Sequence, residues 1–246
     1  MTASTDARPA GARRRRAGRP AILRAVAESF TDTPLLTERF DRALHLATAH
    51  HARQLRKGTP VPYSAHLLAV ASLVLEMHGD EDEAIGALLH DVVEDGGGRP
   101  ALARIERDFG PAVASIVLAN SDAVDGEGDG SGGGREWYRR KRAYIDGFPG
   151  KSPAALRVGL ADKLHNARSI LLDYRTHGDA LWRRFGQGQG LATRVYYREL
   201  ALAFEREQER LGPYAAPHVA ELRRAVDAIT ALAESHQGPD SRELLS

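Results

Sequence analysis

The sequence predicts an all-α fold. Apolar residues recur at helical spacing along most of the 246-residue chain, and the alternation that is typical of strands is nearly absent. Prolines and glycines separate the early segments, as expected at helix ends. The pattern predicts a bundle of about eight to ten helices in one domain. In chain order, the predicted helices cover residues 36–56, 65–78, 81–94, 101–109, 112–120, 136–147, 154–174, 178–185, 191–210 and 217–236.

Three segments lack the apolar residues that a core needs. Residues 1–20 are rich in alanine, arginine and proline and contain four consecutive arginines, which predicts a disordered basic arm. Residues 125–134 are glycine-rich and acidic, which predicts a mobile loop; they lack the pattern of a P-loop. Residues 237–246 are expected to form a frayed tail. The folded domain is therefore predicted at residues 30–236.

Composition excludes several classes of protein. The chain has no cysteine, which excludes disulfides and thiolate metal sites and fits a reducing cytoplasm. The amino terminus lacks the apolar stretch of a secretory signal, and no run reaches the roughly 20 apolar residues of a membrane span. The formal net charge is +1. This charge argues neither for nor against a polyanionic partner. The basic arm could touch nucleic acid or anionic lipid, but four arginines alone are weak evidence, so we expect no membrane partner and no nucleic-acid partner.

The first two helices are predicted to meet at a basic turn. The adjacent cations Arg56 and Lys57 precede Gly58, and two prolines at 60 and 62 break the first helix. His66 then falls in the first turn of the apolar second helix. A lone histidine there is more often a hydrogen-bonded core residue than a metal ligand, and the basic pair taken alone indicates a solvated turn.

The third helix ends in the most informative motif of the chain. An apolar run leads into residues 90–95, which place His90 and Asp91 one helical turn before Glu94 and Asp95. Such spacing suits an enzyme that holds a metal with the first pair and activates water with the second. The alternative is a polar helix end with acids on a solvated face, followed by three glycines.

The long seventh helix contributes a third group of polar residues. Asp162 lies in the middle of an apolar face, where a buried carboxylate needs a cation as partner. Asn166 follows four residues later and shares that face. Together with the earlier segments, this predicts one metal ion held by His66, His90, Asp91 and Asp162. Two imidazoles and two carboxylates suit Mn²⁺, Fe²⁺, Co²⁺ or Zn²⁺.

The order of these motifs resembles the HD-domain metal-dependent phosphohydrolases. Within that superfamily, residues 56–66, 90–95 and 160–166 resemble the hydrolase domain of the RelA/SpoT type, including its stand-alone small alarmone hydrolases. The resemblance covers roughly residues 38–205, and the second acidic pair is its most discriminating part. It implies an HD-domain helical bundle and Mn²⁺-dependent removal of the 3′-pyrophosphate from guanosine 3′,5′-bis(diphosphate) and its 5′-triphosphate analogue.

The resemblance also implies roles for individual residues. Glu94 and Asp95 would position and activate the attacking water. The nucleotide would be contacted by Arg56, Lys57, Asn166, Arg140, Lys141 and Tyr197. Tyr197 is the residue that best matches the aromatic position of the family. Tyr197 lies in an apolar helix, where tyrosines are more often core residues.

Two alternative functions remain open. Residues 173–190 depart from the family pattern, so the substrate could be another nucleotide or a nicotinamide dinucleotide phosphate such as NADPH. The chain could instead be a regulatory domain that binds a metal or nucleotide without turnover. Intact Glu94 and Asp95 argue against that second alternative.

Overall fold

The computed structural model describes residues 31, 33–121, 134–185 and 189–236. The described part is all-α, which confirms the predicted fold class; its β-type pairing is limited to one isolated bridge between Leu55 and Pro62. The described residues from Leu36 onward form one compact unit. The predicted arm at 1–20, the loop at 125–133 and the tail at 237–246 lie outside the described residues.

Ten α-helices make up the described fold. In chain order they are α1 (Glu38–His50), α2 (Ser64–Glu76), α3 (Glu81–Leu89), α4 (Gly98–Phe109), α5 (Pro111–Asn120), α6 (Gly134–Asp146), α7 (Pro153–His177), α8 (Gln189–Arg206), α9 (Gln208–Leu211) and α10 (Ala216–His236). A π-type turn at Val93–Gly97 and 3-10 turns at Phe148–Gly150 and Gly178–Phe185 connect some of them.

Side-chain caps begin three of these helices. The Thr37 hydroxyl accepts a hydrogen bond from the backbone of Arg39, and Asp80 and Ser152 cap α3 and α7 in the same way. Each cap satisfies a backbone N–H that has no partner inside the helix.

Near the candidate site, α1 and α3 end earlier than their sequence patterns predict. α1 stops at His50 rather than residue 56, because the chain folds into a loop in which the backbone of Arg56 pairs with Val61 and that of Tyr63 with Gln54. α3 stops at Leu89 rather than residue 94. After Leu89 the chain turns, with the Val92 N–H donating to the carbonyl of Leu89, and further on Gly96 leaves the helical region with a φ of 102°. Both early ends lie beside the candidate site.

The core is organised around α7. This helix packs against α2, α3, α5 and α10. Its buried side chains include Leu156, Leu160 and Leu164, none of which is more than 1% exposed. Because α7 is surrounded on several sides, a polar residue at its centre lies inside the protein. Among the described residues, no helix combines the length and apolar character that a membrane crossing needs.

A buried asparagine joins three helices at the amino-terminal half of α7. Asn120 donates to the carbonyl of Ala155 at 3.1 Å and accepts from the Tyr144 hydroxyl at 3.2 Å. Gly159 lies directly beneath this contact, where a Cβ atom would come within 2.6 Å of the Tyr144 oxygen. The close approach of α5, α6 and α7 therefore depends on a residue without a side chain.

A buried ion pair links α3 to α7. The Arg157 guanidinium donates to both carboxylate oxygens of Glu83, and its Nη1 also donates to the carbonyl of Leu211 at 3.2 Å. The Glu83 side chain is only 5% exposed. This contact fixes the helix that carries His90 relative to the helix that carries Asp162.

Candidate metal centre and adjoining cavity

Three helices bring a set of metal-ligand atoms together in the interior. His66 lies in the first turn of α2, His90 directly follows α3, and Asp162 lies in the middle of α7. All three side chains are buried, and one ligand atom from each lies within 4.8 Å of the others. Nε2 of His66 is 3.2 Å and Nε2 of His90 is 3.8 Å from Oδ1 of Asp162.

Asp91 brings a second carboxylate to the same point. Its Oδ2 lies 3.0 Å from Nε2 of His90 and 3.6 Å from Nε2 of His66. The Tyr63 hydroxyl donates to this oxygen at 2.6 Å. The structure thus brings together all four residues that the sequence pattern groups around one ion.

Backbone bonding sets the tautomer of His90. Its Nδ1 lies 2.8 Å from the carbonyl oxygen of Ala87, which can only accept, so Nδ1 carries the proton. When the ring is neutral, as metal binding requires, Nε2 then presents a lone pair to the carboxylates of Asp91 and Asp162. This buried nitrogen has no hydrogen-bond partner among the described residues. Several electron pairs therefore face one another, an arrangement that a cation between them would satisfy.

The second imidazole is held by another histidine. Nδ1 of His66 lies 2.8 Å from Nδ1 of His165. Burial, and then the proximity of His66 and Arg56, lower the pKa of His165 to about 4, so at neutral pH this ring is uncharged. A neutral His165 can accept the Nδ1 proton of His66, which leaves Nε2 of His66 free to bind a metal.

The local charges also favour a cation at the centre. Burial opposes protonation of His90, but the Asp91 and Asp162 carboxylates outweigh it and raise the pKa of His90 well above its usual range. Burial favours the neutral acid at Asp91, but His90 and His66 lower its pKa. The same field that stabilises a proton on Nε2 stabilises a divalent metal there, so the donor set fits such an ion.

A short relay connects the centre to the basic loop before α2. The Asn166 amide donates to Oδ1 of Asp162 at 2.6 Å, and Arg56 donates to the Asn166 oxygen at 2.6 Å. Lys163 holds the other oxygen of Asp162 at 2.6 Å. Arg56 also lies over the Tyr63 ring, 5.7 Å from its centroid.

The second acidic pair lies at the exposed side of the π-type turn. Oδ2 of Asp95 accepts from the Gln54 amide at 2.7 Å, and it lies 3.8 Å from Nδ1 of His51. Glu94 is its exposed neighbour in the chain. Because the helix ends at Leu89, these carboxylates follow a turn rather than the continuous helix expected from the spacing.

A cavity of about 460 Å³ opens beside the centre. His66 forms part of its wall, and so do Arg56, Lys57, Asn166 and Tyr197. The structure therefore brings four of the six predicted nucleotide contacts to one cavity. Burial raises the pKa of Tyr197 to about 12, so its hydroxyl remains protonated.

Arg140 and Lys141 lie elsewhere. Both are on α6, where the Lys141 ammonium lies 5.9 Å from the centroid of the Tyr196 ring on α8. Within the described part of the chain, neither residue lines the cavity beside His66.

Several residues of the site were not found by sequence reasoning. Asp173 and Arg184 line the same cavity. Gln54 donates to Asp95, and His51 contacts the Gln54 oxygen at 2.6 Å. The spacing of His51 and Gln54, at i and i+3 before Arg56, was a usable signal. The placement of Arg184 follows from the 3-10 turn after α7, and no signal in the sequence indicated it.

Comparison with known proteins agrees with this geometry. The HD-domain family model matches residues 43–191. The chain belongs to the HD-domain family, and its relatives there include proteins named as alarmone hydrolases. It is 34% identical over 142 residues to the guanosine-3′,5′-bis(diphosphate) 3′-pyrophosphohydrolase MESH1 of Drosophila melanogaster, which covers 56% of this chain and 73% of the relative.

Two further matches extend the comparison. A probable GTP pyrophosphokinase of Mycobacterium leprae is 34% identical over 129 residues, which is 52% of this chain but only 15% of that protein. A solved structure of a metazoan ortholog of SpoT, reported to hydrolyze ppGpp and to play a role in starvation responses, superimposes with a TM-score of 0.59 and 26% identity. It covers 79% of this chain and 96% of the other. These matches confirm the resemblance drawn from the motifs, and the family and the His/His/Asp cluster together indicate a divalent metal.

Proposed function

We propose that the protein is a metal-dependent hydrolase that removes the 3′-pyrophosphate of guanosine 3′,5′-bis(diphosphate) and of its 5′-triphosphate analogue. One observation carries the proposal: His66 belongs both to the ligand cluster and to the wall of the cavity that Arg56, Lys57 and Asn166 line. Metal chemistry and cationic groups for phosphate thus share one space. The names of the relatives support the choice of substrate.

The ligands of the ion would be His66, His90, Asp91 and Asp162, and we propose one Mn²⁺ ion, although other divalent metals suit the same donors. When bound, such an ion polarises a phosphoryl oxygen and lowers the pKa of coordinated water. Tyr63 and His165 would keep Asp91 and His66 in the orientation that binding needs.

The reaction needs an oriented water and a neutralised phosphate more than it needs covalent chemistry. Water oxygen forms a bond to the phosphorus that is attached to the ribose 3′-oxygen, and the bond between that oxygen and phosphorus breaks. The 3′-oxygen takes up a proton, giving GDP or GTP together with pyrophosphate. Glu94 and Asp95 would accept the proton that the water loses.

The Gln54 contact gives Asp95 a defined orientation for this task. One of its carboxylate oxygens is bound by the Gln54 amide, which leaves the other to face solvent or substrate. Glu94 precedes it on the same exposed turn. The two acids would therefore act as a pair.

The cavity residues would bind the rest of the nucleotide. Arg56 and Lys57 would neutralise phosphoryl oxygens, and Asn166 and Tyr197 would contact the nucleoside. Arg140 and Lys141 remain proposed contacts that would need α6 to approach a long phosphate chain. The absence of cysteine is in keeping with action in the cytoplasm.

The test is hydrolysis of guanosine 3′,5′-bis(diphosphate) by the purified protein, with Mn²⁺, with chelator, and with the variants Glu94→Gln and Glu106→Gln. We expect equal amounts of GDP and pyrophosphate with Mn²⁺ and none with chelator. Glu94→Gln should keep the metal and lose turnover. Glu106→Gln, an exposed acid on α4, is the matched control and should behave as wild type.

Undiminished hydrolysis in chelator would overturn the proposed chemistry. No hydrolysis by a metal-loaded protein would overturn the proposed substrate, and the same assay on a panel that includes NADPH and other phosphorylated nucleotides would then identify the replacement. Loss of metal from Glu94→Gln would make Glu94 a ligand instead of a base.

A further inference from the structure

An ion pair lies in the cavity wall, in the segment where the chain departs from the family pattern. Nη1 of Arg184 donates to Oδ2 of Asp173 at 2.6 Å. The side chains are 21% and 28% exposed, so both are largely withdrawn from solvent. Both line the cavity that also contains His66. The functional roles proposed above make no use of either residue.

Helix geometry separates this pair from the metal centre by a defined length. Asp162, Asn166, Ser169 and Asp173 follow one another on α7 at intervals of four, three and four residues. Eleven residues make about three turns, so Asp173 faces nearly the same direction as Asp162 and lies about 16 Å further along the axis. Asn166 and Ser169 line the cavity between them.

Arg184 is fixed in place by the basic loop. Gly58 has a φ of 71°, and a Cβ atom there would come within 2.6 Å of Cδ of Arg184. The Arg184 stem therefore lies directly against the loop that carries Arg56 and Lys57. This contact and the bond to Asp173 hold the guanidinium at both sides, so it is preorganised for a ligand.

The chemistry of this end of the cavity suits a heterocyclic base. A carboxylate repels phosphate, so Asp173 disfavours a phosphate group beside it. The wall of the cavity also includes the apolar side chains of Ile170, Leu172 and Leu181. Apolar walls with a few oriented polar groups are typical of sites that bind a flat ring.

We propose that Asp173, oriented by Arg184, recognises guanine, an inference that rests on the proposed function and specifies its substrate. Ionised aspartate only accepts hydrogen bonds, and guanine offers donors at N1 and at its 2-amino group. The Arg184 guanidinium has further donors for O6 of the base. The scissile pyrophosphate then lies at the metal centre. The base lies beside Asp173, at the far end of the stripe that Asp162, Asn166, Ser169 and Asp173 form on α7.

Adenine fits this pair less well. It carries an acceptor at N1 and has no 2-amino group, so Asp173 would face a lone pair and lose one donor. A site that leaves a polar group without its partner discriminates against the mismatched ligand. Each well-made contact of this kind is worth roughly 10- to 100-fold in affinity.

The test is binding of GDP, xanthosine 5′-diphosphate and ADP to wild type and to Asp173→Asn, followed by kcat and KM for the corresponding 3′,5′-bis(diphosphates). Asparagine offers a donor where aspartate accepts. We expect Asp173→Asn to bind GDP roughly 10- to 100-fold more weakly and to gain affinity for the xanthosine compound, whose O2 accepts. The loss should appear mainly in KM.

Matched variants separate recognition from structure. Asp227→Asn removes an exposed aspartate that pairs with Arg223 on α10, and it should change no preference. Asp173→Ala should lose the preference for GDP without gaining affinity for the xanthosine compound. It replaces Asp173→Asn in the test if that variant unfolds at too low a temperature. Equal loss for all three bases, or an unchanged preference for GDP, would overturn the inference.

The binding arm keeps the two proposals distinguishable. A wild type that prefers GDP but fails to hydrolyse the guanosine compound would overturn the proposed reaction and retain base recognition. A wild type that hydrolyses the guanosine and adenosine compounds equally well would retain the reaction and overturn the role of Asp173.

Discussion

Nδ1 of His165 lies 2.8 Å from Nδ1 of His66, a buried ring whose Nε2 lies 3.2 Å from Asp162. A ring that is protonated at Nδ1 presents a lone pair at Nε2, so a His165 that accepts this proton leaves Nε2 of His66 able to bind a metal. The low pKa of His165, about 4, keeps it available as an acceptor at neutral pH. A residue outside the proposed ligand set thus contacts the nitrogen of His66 that does not face the cluster.

Replacement of His165 by alanine should weaken metal binding by about 10- to 100-fold, because His66 loses the group that sets its tautomer. The measurement is competition for Mn²⁺ between the protein and a chelator of known affinity. His45→Ala, at an exposed histidine on α1, is the control and should bind as wild type. If His165→Ala bound Mn²⁺ as tightly as wild type, Nε2 of His66 would bind the metal without the contact to His165.

Asp91→Ala should abolish both metal binding and turnover. In the wild type, Mn²⁺ at 100 times its dissociation constant should add about 2.7 kcal/mol to the free energy of unfolding. Thermal melting with and without Mn²⁺ measures this gain, which should disappear in Asp91→Ala. Asp146→Ala removes an exposed aspartate of α6 and should keep the gain. A persistent Mn²⁺-dependent shift in Asp91→Ala would remove Asp91 from the ligand set.

Glu83→Ala should lower the free energy of unfolding by about 3–5 kcal/mol, since it leaves the Arg157 guanidinium without its buried partner. Urea denaturation measures the loss. Glu221→Ala breaks an exposed pair with Arg168 and should cost at most about 1 kcal/mol. Equal costs for the two variants would mean that the Glu83 pair is no better shielded from solvent than the surface pair.

Gly159→Ala should destabilise the protein by about 1–3 kcal/mol, because the new methyl group would overlap the Tyr144 hydroxyl and the Asn120 oxygen. Gly150→Ala is the matched control, since a Cβ there meets nothing within 4 Å. Urea denaturation again measures the difference. Unchanged stability in Gly159→Ala would show that α6 can move away from α7 without loss.

Much of the architecture is readable from periodicity, since apolar spacing identified the long helices and placed Asp162 on the buried face of α7. Helix ends near the site were less readable. The end of α1 depends on backbone pairing between residues 54–56 and 61–63, and neither partner is specified by its own segment. A local pattern cannot register a contact that forms only when the chain has turned back on itself.

The candidate site divides in the same way. His66, His90, Asp91 and Asp162 stand out because they interrupt apolar runs, which is a local signal. Arg184 stands out nowhere, since arginine is ordinary in an exposed turn. Its place in the cavity depends on the missing side chain of Gly58, and that fit exists only in three dimensions.

The uninterrupted course of α7 has a consequence for how this protein can change over generations. Its rise per residue sets the span between Asp162 and Asp173, so that span is independent of every loop in the chain. Point substitutions along the stripe can alter what is bound while the spacing stays constant. An inserted or deleted residue would turn Asp173 by about 100° away from Asp162, so this stretch should vary in chemistry but not in length.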